Sequence, residues 1–270
     1  MAFKIGFMAD FNKTSGNNAD MTQHKITAPK KSVVQVHFMK RGMTCAYYSD
    51  SFDLNIGDLV FVDGKMEGVM GRVMSVNYTF KIKLSDYHRV VSVADTDVHG
   101  QLYMSGTHMV AFSPDIIPAH KIRTWFLPPE KEEEEFVVGS DDTSFALEDF
   151  KGLKISKEIA DRGHEYYLEN RVRYLCVDGD RGYAIVEGTR PYEVEFEYSC
   201  GDIRNIICSC FCSYNCKHEF AAMLQLKELL GNIEKNYAKE HGQNGYFAAI
   251  NKGVLFTFAI DSKETGRFTL

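Results

Sequence analysis

The stretch CSCFCSYNCKH, residues 208–218, sets a C-x-C pair, Cys208 and Cys210, five residues ahead of a C-x-H pair, Cys216 and His218. Thiolate and imidazole are ligands that Zn²⁺ favours, and a tetrahedral site needs two such pairs presented from opposite sides. A short loop between two pairs supplies that arrangement. Three cysteines and one histidine would fill all four positions and leave none for water or substrate. The chemistry implied is therefore one structural Zn²⁺, not a zinc hydrolase. Cys212 forms a second C-x-C with Cys210, which leaves a shifted ligand set as an alternative; its place within the loop favours Cys208 and Cys210.

The seven cysteines are odd in number and unevenly spread, which argues against a disulfide framework. Cys45 and Cys176 alternate with apolar strand residues and read as core, and Cys200 stands at a turn. Asp95, Asp97 and His99 in ADTDVHG are also metal-ligand types, but Asp and Gly there are ordinary turn formers.

These ligands need elements to hold them. A C-x-C at a strand end points both side chains to one side, because side chains alternate along a strand. A C-x-H at a helix start then faces it across the loop. The flanking sequence supplies both elements. Residues 171–208 contain four strand-length runs broken at Asp178-Gly179, Gly188 and Gly201-Asp202. In the third run Val194, Phe196 and Tyr198 alternate with Glu193, Glu195 and Glu197, so the runs predict an antiparallel meander with one wet face. CKHEFAAMLQLKELLG predicts a helix ended by Gly231. Upstream, Ser156 is placed to cap a helix whose Ile159, Ala160, His164 and Tyr167 share a face. The final YFAAINKGVLFTFAIDSKETGRFTL predicts two or three strands, the last two joined through Lys263–Gly266.

The fold class that follows is α+β. Residues 1–30, a short apolar start followed by a Ser/Gly/Asn-rich stretch, predict a flexible segment, 31–127 a β-rich domain of short strands, and 128–150 an acidic linker beginning at Pro128-Pro129. A ligand-bearing domain occupies 151–232, and 233–270 form a C-terminal helix extension and β-hairpin. Within the first domain IGDLVFVDGKMEGVMGRVMSV resembles small SH3-like or KOW-type barrels over about 20 residues, and more loosely the β-rich N-terminal modules of primosomal proteins.

From Lys154 to Leu230 the chain resembles the SWIM zinc finger, whose pattern is C-x-C, a spacer, then C-x-H. The resemblance includes the G-x-x-Y-Y helix end at Gly163–Tyr167 and the GTRPY strand start at 188–192. It departs at Phe211, where many members have proline, and in the extra Cys212. The resemblance implies Zn²⁺ on Cys208, Cys210, Cys216 and His218, and a module that binds DNA or protein. Such modules accompany helicase-like ATPases, transposases and recombination factors.

Charge and length narrow the classes further. A formal net charge of −6 excludes a polycation that coats nucleic acid, so any nucleic-acid contact must use a local patch. The candidates are Arg171, Arg173, Arg181, Arg190, Arg204 and Lys217, with Tyr183 and Tyr192 among them; Lys30, Lys31, Lys40 and Arg41 form a second group. Glu193, Glu195 and Glu197 should repel DNA from their own face. The sequence holds no phosphate-binding G-x-x-x-x-G-K-[ST] loop and no bilayer-length apolar run. The reading is a non-enzymatic, cytoplasmic zinc-binding module contacting nucleic acid, DNA or RNA, and/or protein. The alternative is an adaptor for a separately encoded ATPase, nuclease or recombination factor.

Overall fold

The computed structural model describes residues 4–6, 28–129, 144–210, 212 and 214–260, with the backbone alone for 4–6 and 260. It is mixed α+β, built on two antiparallel sheets. The acidic run after Pro129, most of the N-terminal segment and the Lys263–Gly266 turn lie outside the described residues.

Strands β2 (Ser32–Phe38), β3 (Met43–Ser49), β4 (Leu59–Val62), β5 (Gly71–Asn77) and β6 (Val90–Val93) form a sheet in the order β3-β2-β5-β4-β6. Val34, Val36, Phe38, Val60, Val62 and Val73 build its core, on the alternation that a half-buried strand requires. The edge strands meet where Tyr48 N–H donates to the carbonyl of His88 (2.9 Å).

The larger sheet has nine strands. β1 (Lys4–Gly6), β7 (Gln101–Ser105) and β8 (His108–Ala111) lie beside β14 (Tyr246–Asn251). Then follow the meander β10 (Val172–Asp178), β11 (Arg181–Glu187), β12 (Pro191–Ser199) and β13 (Asp202–Cys208), edged by the two-residue β9 (Phe145–Ala146). Helices cover both faces. Leu175, Val177, Ala184, Val194 and Phe247 pack under α3 (Lys217–His241), against which α2 (Lys157–Leu168) lies. Tyr174, Cys176, Ile185, Ala248 and Ile250 pack under α1 (Ala119–Phe126) and α4 (Lys252–Leu255).

This sheet crosses the division that the sequence suggests at the acidic run. β8 pairs with β14 through Val110↔Ala249 and Ile250↔Met109, so residues 101–126 belong with the downstream sheet. All four residues of β8 are buried, hydrogen-bonded between β7 and β14 in the interior of this sheet.

Three local readings also change. Helix α3 does not stop at Gly231 but continues to Asn236, kinks at Tyr237 (φ −140°, ψ 25°) and ends at His241. Leu229, Ile233 and Tyr237 continue its buried stripe at four-residue spacing, and that burial outweighs the cost of about 1 kcal/mol for one helical glycine. The FTFAI run is helical rather than extended, after Asn251 accepts a bond from Gly253 N–H (3.0 Å) and starts α4. On α2, Ser156 caps as predicted (Ile159 N–H to Oγ, 3.3 Å), but His164 is exposed, and the inward side carries Gly163, Tyr166 and Tyr167.

Candidate metal centre

The end of β13 and the start of α3 bring the four ligand types together. Cys208 is the last residue of β13, opposite Val194. The loop then folds back: Ser209 N–H donates to the carbonyl of Glu193 and Glu193 N–H to Ser209 Oγ, each 2.9 Å. This clamp fixes the residue between Cys208 and Cys210. Across the loop Cys216 is the N-cap of α3. Its Sγ accepts from Glu219 N–H (3.5 Å), and the Glu219 carboxylate accepts from Cys216 N–H (2.9 Å), a capping box with sulfur as the cap.

The four ligand atoms of Cys208, Cys210, Cys216 and His218 lie within 4.8 Å of one another, close enough to hold one metal ion. His218 Nδ1 is 3.7 Å from both Cys208 Sγ and Cys216 Sγ. Tetrahedral coordination at ~2.3 Å for sulfur and ~2.0–2.1 Å for nitrogen would place ligand atoms about 3.6–3.8 Å apart, so Nδ1 is the nitrogen positioned to ligate an ion there. Among the three thiols the negative charge settles on Cys216, pushed down to about 4 first by its hydrogen bond with Cys208, then by His218 and Glu219 N–H against burial. Cys208 is pushed up, chiefly by that same bond, and burial raises Cys210 to about 12. Cys212 is exposed and outside the cluster.

Two rings and two glycines hold His218. Tyr192, at the start of β12, stacks on the imidazole at 4.2 Å, and Tyr166 of α2 meets it edge-on at 5.5 Å. A Cβ on Gly188 would stand 2.7 Å from the Tyr192 ring and 3.1 Å from His218 Nε2. Nε2 itself is buried with no hydrogen-bond partner among the described residues. A Cβ on Gly163 would stand 2.9 Å from the carbonyl of Lys217, so only glycine lets α2 cross the first turn of α3 there. The Glu three residues after Cys216 was readable as a capping box. The roles of Tyr166, Tyr192 and Gly188 depend on strand and helix placement that spacing does not encode.

The basic candidates divide. Arg171 and Lys217 both lie over the Tyr166 ring at 4.5 Å, and Arg190 lies over Tyr192 at 5.4 Å, so these three stand around the Cys/His cluster. Arg171 is also paired with Glu169 at 2.5 Å; Arg173 lies apart from these three and pairs with Glu187 at 2.6 Å. Arg181 and Arg204 stand in register on either side of Glu197, toward the other end of the meander. Asp95 takes an ion pair from Lys121 (3.0 Å) and a turn bond from Asp97 N–H (3.0 Å); with Asp97 and His99 it forms no metal-sized group.

No protein-family model, curated protein or solved structure matches the chain.

Proposed function

We propose that the chain is a SWIM-type module in which one Zn²⁺ on Cys208, Cys210, Cys216 and His218 fastens α3 to the sheet, and that the rim of this centre contacts nucleic acid. The observation that carries the reading is the convergence of a strand-end C-x-C and a helix-start C-x-H on one point, with Arg171, Arg190 and Lys217 gathered on the tyrosines that pack His218. Three thiolates and an imidazole suit Zn²⁺, and the filled coordination shell makes its role structural. The ion's contribution is to hold the loop. The residues that meet the partner belong to the chain: three cations for phosphates and Tyr214, 84% exposed, as a surface on which a base stacks.

The test is a titration of labelled single- and double-stranded DNA and RNA at two salt concentrations. Three phosphate contacts give a log–log slope of about −2.7 on duplex DNA. Arg171→Ala with Arg190→Ala should remove most of that slope. Absence of binding at low salt would sink the nucleic-acid reading while leaving the zinc centre intact. The second reading, a protein adaptor, is favoured by a separate feature on the sheet's other face.

A further inference from the structure

The face of the meander turned away from α3 carries a groove of ≈ 1080 Å³. It runs across β10–β13, with Cys176, Tyr183 and Tyr246 on its floor and the start of α1 as a wall. Five carboxylates line it: Asp95, Asp115, Asp178, Glu195 and Glu197. Of these, Asp95 is paired with Lys121. Asp115, Asp178, Glu195 and Glu197 have no ion-pair partner among the described residues. Arg181 is the one other lysine or arginine in the lining. The negative field reaches the floor: the Tyr246 phenol is held above its ordinary value by burial first, then by Cys176 and Asp178, with Asp115 adding to it.

We propose that this groove is a docking site for an extended, lysine- and arginine-rich segment of a partner protein. Charge complementarity selects the occupant. Nucleic acid is repelled, because phosphates would meet the same carboxylates. A single metal cation is not selected, since no group of three ligand side chains here comes within coordinating distance among the described residues. The positive charge must be spread out, as the carboxylates are. Four strands at ~4.8 Å spacing span about 15 Å, the length of about five extended residues. The volume also lies just above the ~300–1,000 Å³ typical of small-molecule pockets, which leaves room for a peptide segment. Glu195 and Glu197, two apart on β12, point to the same side and offer successive contacts to alternate basic side chains. The inference is independent of the rim: it assigns the sheet's second face to protein.

The test uses the full chain and a fluorescein-labelled heptapeptide of alternating Arg and Val, read by anisotropy at low and physiological salt. An Asp/Val heptapeptide is the control. The wild type should bind the basic peptide and not the acidic one. Glu195→Gln with Glu197→Gln should weaken binding about tenfold, the sum of two exposed charge contacts. Arg181→Gln should strengthen it, and a gain of affinity cannot come from misfolding. Metal content measured on each variant shows that the centre is intact. No binding at low salt, or binding that neither variant changes, overturns the proposal; neither result bears on DNA binding at the rim.

Discussion

His218 is held by aromatic rings on two sides and by the lack of a side chain at position 188. Its Nδ1 faces the thiols, so the ring orientation sets the ligand geometry. Gly188→Ala would push on Tyr192 and on His218 Nε2 and tilt the imidazole away from the sulfurs. The expected result is metal affinity lower by about 10–100-fold, the usual effect of disturbing groups behind a ligand, measured by chelator competition. His108 gives a separate residue-scale prediction. It is fully buried, with Nε2 against the carbonyl of Val172 (3.0 Å). Burial holds its ring below the ordinary value, against the Val172 bond and the charge of Glu228, and together with Arg173 and Lys252. The folded chain keeps it neutral while the unfolded chain takes up a proton below about 6.5. Its contribution to stability is present above that pH and lost as pH falls. Unfolding of wild type and His108→Asn, compared at pH 7.5 and 5.5, should show the smaller acid loss in the variant; equal losses would contradict the assignment.

Helix α3 has a cap at Cys216 and, on the proposed function, a metal ligand there too, and substitution separates the two. Cys216→Ser keeps a good N-cap oxygen but weakens the metal site; Cys216→Ala removes both, at a further cost of about 1 kcal/mol. Thermal unfolding should therefore rank wild type above Cys216→Ser above Cys216→Ala. Equal stability of the two variants would show that Cys216 does not cap. Leu226, wholly buried between helix and sheet, should cost about 2–5 kcal/mol when cut to Ala, read by denaturant unfolding. At this scale much was legible. The alternation of Val194, Phe196 and Tyr198 with three glutamates located both the core face and the groove face of β12, and Ser156 announced α2. The end of α3 was not legible. A glycine is a local signal, whereas the burial of Tyr237 depends on β7, where its hydroxyl donates to the Met104 carbonyl and its ring meets Tyr103, more than a hundred residues away in sequence.

The whole molecule joins what its composition divides. An acidic run between two β-rich regions reads as a boundary, yet β8 upstream pairs with β14 downstream. Pairing partners separated by such a distance leave no periodic trace, while ligands within eleven positions do, which is why the candidate centre was readable and the nine-stranded sheet was not. The same topology sets the consequence of losing the metal. The C-x-C loop is clamped to Glu193, whose carboxylate takes Arg123 of α1 (2.6 Å) and Tyr183 (2.7 Å). Chelation should therefore raise amide exchange in β13, the first turns of α3 and α2, and then α1, while residues 32–93 keep their protection. Uniform loss across both sheets would contradict that. The central claim is the centre itself, and metal analysis of the purified chain tests it most directly. One zinc per chain is predicted, falling to near zero in Cys216→Ala; no zinc, or two equivalents, would contradict the account.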